Sequence, residues 1–377
     1  MSAASTKTAV SERGIGEDSV PEHRIGAVVV AFRSDPAALA ELLGLLAPQV
    51  RPLVVVDNSD DPDSRARVAA AVRAAGATLV PMDRNAGVAA AQNAGIATAR
   101  EAGCESVLLS DDDSLPPPDL VARLHEAMDR ALASGRRVAA VGPVARDSRA
   151  HGAPLVFVDT AFGPRRAPGL EAGAGDGDRT AEGRTSEGRT SEGRTSEGRT
   201  SEGRTGEGPA ARGPAGGGRA GRGVEPISAA FLLASCCLIR MQAITDVGPM
   251  REDLFIDHVD LEWGLRARRA GWELLVVPRL EIRHRLGERV LHPRLLGGRR
   301  VHVHAPLRNY YLVRNTLLLA GSGLMPPLWR AGYLWWIAKY ALFNVAFVAP
   351  RGQRLRMVVR AVRDGLRGRG GPAPFRP

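Results

Sequence analysis

Three clusters in this 377-residue chain carry side chains that could do chemistry. The first is Asp111-Asp112-Asp113 in SVLLSDDDSLPPPD (106–119), three carboxylates placed directly after an apolar run. Adjacent carboxylates repel unless positive charge lies among them, and oxygen ligands of this kind suit a divalent cation, Mg²⁺ or Mn²⁺. Without an ion the same residues make a solvated loop with an Asp capping a helix that starts near Pro116, and the triplet alone leaves both readings open. The second cluster is FIDHVDLEWGLRARRAGW (255–272), where Asp257, Asp260 and Glu262 stand between apolar Phe255, Ile256, Val259, Leu261 and Leu265. These acids are either chemical groups or a helix start paired with its own arginines. His284 follows one strand later in EIRHRLGE, where an imidazole can return to the same rim. The third cluster, HAPLRNYYLVRN (304–315), combines His304, Arg308, Tyr310, Tyr311, Arg314 and Asn315. Cationic, aromatic and amide groups together suit a diphosphate and a sugar. The competing reading is an amphipathic helix start with its tyrosines packed inward.

Elements able to position these groups are legible in the pattern. IGAVVVAF (25–32) reads as a buried strand, and Leu39, Leu42, Leu43 and Leu46 recur at helical spacing over 36–47. RPLVVVDN (51–58) is the next strand, 62–75 a helix, TLVPM (78–82) a short strand, 86–102 an Ala-rich helix, and 106–113 a fourth strand. Strands alternating with helices predict an α/β fold with a mainly parallel sheet. Ligands of such sheets bind beyond the carboxyl ends of the strands, and those ends are polar here: Phe32-Arg33-Ser34, Asp57-Asn58-Ser59 and the aspartate triplet. No GxGxxG follows the first strand and no GxxxxGK[ST] occurs, which removes the main support for dinucleotide and P-loop sites.

Composition excludes further classes. With 44% hydrophobic and 24% charged residues the chain is neither collagen-like nor wholly disordered. Three cysteines without CxxC spacing supply neither a disulfide framework nor a zinc ribbon, and no apolar signal run occurs in the first 23 residues, so the expectation is a cytoplasmic protein. The net charge of +10 raises acidic partners, but nucleic acid is not expected: a binder would carry basic and aromatic stripes where this rim is acidic. Residues 351–377 hold eight Arg and one Asp, so much of the excess lies at that end.

Between 179 and 208 the chain runs RTAEG, RTSEG four times and RTGEG. Over 167–224 nine acids balance nine arginines almost without apolar residues, the composition of a disordered insert. YLWWIAKYALFNVAFVA (333–349) has 17 residues, short of a membrane span, and with the basic segment after it reads as lying in an anionic membrane interface; a core helix is the other reading.

Taken together, VVVDNS (54–59), RNAGVAAAQNAGI (84–96), LLSDDDSLPPPD (108–119), the FIDHVDLEW block, RHRLGER (283–289) and HAPLRNYYLVRN resemble the bacterial L-rhamnosyltransferases, inverting family 2 glycosyltransferases with the GT-A fold. Within them, FIDHVD, the APLR and YY runs and DGLRGRGG (364–371) look most like the rhamnosyltransferase that adds the second rhamnose to a rhamnolipid. The resemblance implies dTDP-L-rhamnose as donor, a lipid-linked acceptor and a peripheral place on the inner face of the cytoplasmic membrane. It implies donor contacts from Asp57, Asn85, Gly87, Asn93 and Asp111, and a metal on Asp111, Asp113 and His284. It further implies Asp260 as the base, with acceptor or diphosphate contacts from Arg308, Tyr311, Arg314 and Asn315. Two departures stand out: Asp112 where the family usually has Gln, and Cys236-Cys237 where a Ser-Gly pair is common. A related transferase extending polysaccharide on a polyprenyl diphosphate carrier, and a non-catalytic sugar-nucleotide or membrane-binding protein, are the alternatives. The expected organisation is a floppy 1–23, a nucleotide-sugar half over 24–166, the insert over 167–224, an acceptor half over 225–324 and a membrane-associating 325–377.

Overall fold

The computed structural model describes residues 24–147, 153–160, 163–167, 225–284, 289–291 and 301–374. The start of the chain and the repeat segment lie outside these residues, as do the expectations attached to them.

The first half follows the strand and helix pattern closely. In order come β1 (Ile25–Ala31), α1 (Pro36–Leu46), β2 (Leu53–Asp57), α2 (Pro62–Ala74), β3 (Thr78–Pro81), α3 (Val88–Glu101), β4 (Ser106–Asp111), α4 (Leu120–Ala133) and β5 (Val138–Asp147). Asp35 starts α1 by accepting from the Ala37 and Ala38 N–H groups at 3.1 and 2.9 Å, and Leu39, Leu42, Leu43 and Leu46 turn inward as their spacing predicts. The helix expected near Pro116 begins only at Leu120. Three consecutive prolines lack N–H groups and push the residues before them out of helical geometry, so the chain crosses the rim extended before it can coil.

Four short strands come next, β6 (Ala153–Pro154), β7 (Phe157–Val158), β8 (Arg165–Arg166) and β9 (Ile227–Ser228). Then follow β10 (Cys237–Arg240), α5 (Met241–Val247), a 3₁₀ turn over Glu252–Leu254, α6 (Val259–Arg269), β11 (Glu273–His284), β12 (Arg289–Leu291) and β13 (Val301–Val303). The main sheet runs β3-β2-β1-β4-β10-β5-β11-β9, with β6 on the end of β5. Six of its nine strands point the same way, and β10 enters antiparallel between β4 and β5. The two expected halves therefore share one sheet, because a strand from 225–324 fills a gap between strands of 24–166. One apolar layer packs the sheet against α1, α2 and α4, the other against α3, α5 and α6.

Three helices complete the described chain: α7 (Pro306–Gly321), α8 (Pro327–Phe347) and α9 (Arg351–Leu366). Their interior is unusually polar. Arg354 is buried, donating to the His304 carbonyl at 3.0 Å and to Asn309 Oδ1, while the Tyr310 hydroxyl donates to Asp364 Oδ2 at 3.0 Å. The arginine-rich end is thus partly a folded helix and not simply a tail. No described helix is long and apolar enough to cross a membrane.

Candidate active site

Strand register delivers the first carboxylates to one rim. Ala31 opposes Asp57 and Val30 opposes Asp111, so β2 and β4 bring both to the carboxyl edge of the parallel strands. Asp57 is buried and its Oδ1 accepts the Ser59 N–H at 3.0 Å. Beside it Asn58 Nδ2 donates to Asn85 Oδ1 at 3.1 Å, and Asn58 Oδ1 accepts the Ala86 N–H at 2.8 Å. Asn85 Oδ1 also accepts the Gly87 N–H at 3.0 Å, which shapes the turn before α3. Gly87 sits at φ +91°, and a Cβ there would lie 2.6 Å from the Phe255 carbonyl oxygen, so only glycine fits.

The aspartate triplet divides by direction. The Ser235 hydroxyl donates to Asp111 Oδ2 at 2.7 Å, whereas Asp112 turns back onto β1, accepting the Phe32 N–H at 3.2 Å and the Ser34 hydroxyl. Burial pushes the Asp112 carboxyl up to about 6 against those two bonds, with the charges of Asp111 and Asp113 adding to the rise. Among the described residues no group of three His, Cys, Asp or Glu is arranged to hold a metal ion. Asp111 and Asp113 nevertheless supply hard carboxylate oxygens from one turn, the donor type that suits Mg²⁺ or Mn²⁺, ions that retain water and phosphate oxygens in their shells. The backbone of β11 does return to this rim, since Leu115 N–H donates to the Arg283 carbonyl at 3.4 Å. The His284 side chain lies outside the described residues.

The second acidic cluster is held differently. Phe255, Asp257 and His258 have φ of +65°, +62° and +66°, three non-glycine residues in the left-handed region within four positions. Such conformations cost about 1 kcal/mol or more each and persist where surroundings enforce them. Here Asn315 Nδ2 donates to the Leu254, Ile256 and Asp257 carbonyls at 2.9, 2.7 and 3.0 Å. Fully buried Arg314 donates to the Asp253 and Leu254 carbonyls at 3.1 and 3.0 Å and also holds the Gly371 carbonyl, bonded through its Nη1 at 2.5 Å. The Tyr311 ring stacks on Phe255 at 5.0 Å, and its hydroxyl accepts the Ala373 N–H at 2.8 Å. From the other side the Val88 N–H reaches the Phe255 carbonyl at 2.7 Å.

Four residues expected to meet ligands have bonds within the protein. Arg314 and Asn315 are buried and donate to carbonyls of the acidic loop, with Arg314 Nε donating to Asn315 Oδ1, and buried Tyr311 stacks on Phe255. Asn93 likewise exchanges bonds with Met250, donating at 2.9 Å and accepting at 2.8 Å, and donates to Glu252 at 2.9 Å. Arg308 does face the site, forking onto Asp257 with its closest bond at 2.9 Å.

Asp260 stands at the first turn of α6 and accepts the Leu261 N–H at 2.8 Å. No Arg or Lys pairs with it among the described residues. It borders a cavity with Gln92, Leu109, Cys237 and Trp263. Burial pushes its carboxyl up to about 6, and the charges of Asp111 and Asp257 add to the rise, which also shows that both acidic clusters act on one region. The adjacent thiols are inert: burial pushes Cys236 up to about 12 and Cys237 higher still.

The sequence patterns miss Ser235, Tyr333 and Tyr340. Tyr333 meets the His258 ring at 6.0 Å and feels Asp260, and Tyr340 lies by the Arg308–Asp257 pair, its hydroxyl accepting from Asn309 Nδ2 at 2.7 Å. The 333–349 segment carried the signal, since its aromatics recur at helical spacing.

Residues 27–176 match the family described as Glycosyl transferase family 2. The chain is also similar to the dTDP-rhamnosyl transferase RfbF of Shigella flexneri, 27% identical over 146 residues, which is 39% of this chain and 48% of that protein. It thus spans about half the length of this curated relative. Among solved structures, S. aureus TarS gives a TM-score of 0.47 at 13% identity, covering 92% of this chain and 49% of TarS. The Pyrobaculum calidifontis mannosyltransferase PcManGT, solved with GDP-Man and Mn²⁺, gives 0.45 at 14% identity, covering 93% and 76%. The architecture is a GT-A-like α/β fold with a mainly parallel sheet.

Proposed function

We propose that the protein is an inverting glycosyltransferase moving L-rhamnose from dTDP-L-rhamnose to a hydroxyl of a lipid-linked acceptor, a mono-rhamnolipid that becomes a di-rhamnolipid. The observation that carries this is the Asp111–Asp113 turn beside a half-buried Asp260 that no Arg or Lys pairs with among the described residues, near enough that the Asp111 charge raises the Asp260 pKa. One pole suits a diphosphate with its cation, the other a proton. The family match and the rhamnosyl transferase relative support the donor.

In this mechanism Asp57 accepts the N3–H of the thymine, and the Asn58–Asn85–Gly87 turn shapes the nucleoside pocket. Asp111 and Asp113 would hold a divalent cation, which when bound offsets charge on the departing diphosphate. Asp260 accepts the proton of the acceptor hydroxyl as its oxygen bonds to the anomeric carbon. The bond from that carbon to the diphosphate breaks with its electron pair leaving on the diphosphate, which inverts the centre. Arg308 occupies Asp257 by forking onto it, leaving Asp260 to take the proton.

An anionic membrane surface as partner is supported by α9. Leu355, Val359, Val362 and Leu366 form an exposed apolar stripe at intervals of four, three and four, flanked by exposed Arg356, Arg360, Arg363 and Arg367. Apolar residues between arginines suit an anionic interface. The test is purified protein against a panel of nucleotide sugars with a mono-rhamnolipid acceptor, with and without EDTA, following anomeric configuration by NMR. Turnover with dTDP-L-rhamnose, inverted product and loss with EDTA are expected; turnover only with another nucleotide sugar would overturn the donor assignment.

A further inference from the structure

We infer, on the reading that the chain glycosylates an amphiphile, that one aromatic stripe of α8 seats the acceptor, its sugar at the inner end and its hydrocarbon along the rest. The stripe is Tyr333, Trp336, Tyr340, Phe343 and Phe347, with intervals of three, four, three and four, which keeps all five on one side of a helix. Ring centroids lie 5.7 Å apart for Tyr333–Trp336, 5.8 Å for Trp336–Tyr340 and 5.6 Å for Phe343–Phe347.

Position sets the two ends apart. At the inner end Tyr333 touches His258 and lies within the field of Asp260, while Tyr340 lies within the fields of Asp257 and Arg308. Hydroxyls, a guanidinium and a carboxylate beside flat rings are what a sugar requires: faces to pack on and polar groups at the edge. At the outer end Phe347 is 62% exposed with no charged residue between it and Tyr340 on this side. Fourteen residues at the helical rise of 1.5 Å make a track of about 21 Å, long enough for a fatty chain.

Buried Trp329, Ile337 and Asn344 pack the helix inward, and Tyr333 and Tyr340 are half-buried against the core, whereas Trp336 remains 42% exposed between the two tyrosines. The outer face is different: Trp335 there is 65% exposed with the Lys339 ammonium 5.4 Å from its ring centroid. A row of aromatics, half-buried beside His258 at one end and exposed at Trp336 and Phe347, marks a route to the site, and an occupant with a sugar head and a hydrocarbon tail matches both ends.

The test uses the full chain with octyl and dodecyl α-L-rhamnoside, each below its micelle concentration, measuring affinity by titration calorimetry alongside affinity for dTDP. Trp336→Ala is expected to weaken both rhamnosides about tenfold, the loss of one aromatic contact of about 1.4 kcal/mol, and Trp336→Leu, which keeps bulk without the flat face, to weaken them comparably. Phe347→Ala should leave octyl binding unchanged and cost dodecyl binding about threefold, since only the longer tail reaches it. Unchanged octyl affinity in both Trp336 variants, or equal effects of Phe347→Ala on the two probes, overturns the track. Failure of the unsubstituted protein to bind dTDP overturns the transferase reading instead, and leaves the rhamnoside affinities to judge the stripe separately.

Discussion

The two acidic clusters of the site are built by opposite means. Asp57 and Asp111 are placed by backbone ladders, each at the end of a strand whose neighbours fix it residue by residue. Asp257 sits in a loop with three left-handed residues and Asp260 in the helical turn directly after it, the loop being placed by side chains from α7 and by backbone near residue 371. A ladder tolerates change because many bonds share the load. A loop held by a few buried donors fails when one of them is lost.

Several substitutions probe that difference. Asp260→Asn retains size but cannot accept a proton, so turnover should fall by ~10²–10⁴-fold with dTDP affinity unchanged. Near-full turnover would exclude Asp260 as base. Arg314→Ala removes the guanidinium bonds to the Asp253, Leu254 and Gly371 carbonyls, and should cost about 1.5–3 kcal/mol in chemical denaturation. Loss confined to activity, with stability intact, would mean the loop holds itself. Gly87→Ala forces a Cβ onto the Phe255 carbonyl at a positive φ and should cost about 1–3 kcal/mol, since it strikes the loop from the ladder side.

Smaller effects separate the carboxylates. Rate should fall as pH drops through about 6, where Asp260 takes up a proton, and level off above. Because the charge of Asp257 raises the pKa of Asp260, Asp257→Asn should move that limb to lower pH; a limb that stays or moves upward would show another group sets it. Asp112→Asn keeps an acceptor for Phe32 and Ser34 without a charge that burial opposes, and should change turnover by less than about threefold.

What was readable in the chain follows the same division. Apolar runs, leucines at helical intervals and polar strand ends locate β1, β2, β4 and the residues they carry, because ladders need only local pattern. Hidden from pattern were β10, which enters the sheet from beyond residue 225, and the work of Arg314 and Asn315. A basic and an amide side chain on one helix have the same appearance whether they meet a ligand or a carbonyl 58 to 61 residues earlier. Tertiary contact alone separates the two, and here both side chains are bonded to carbonyls of the acidic loop. Asp112 was readable as the odd member of its triplet, but its bond to Ser34 across 78 positions was not.

The bonds from Arg314 to Gly371, from Gly371 to Asp253 and from Ala373 to Tyr311 also bear on how the protein comes into being. A nascent chain can form its strands and the nucleotide side of the rim while translation continues, yet the loop bearing the acids lacks its full set of partners until residue 373 has left the ribosome. Products of premature termination, or of proteolysis just beyond α9, would then retain a folded sheet and competence to bind nucleotide while lacking turnover, and would compete with intact protein for donor.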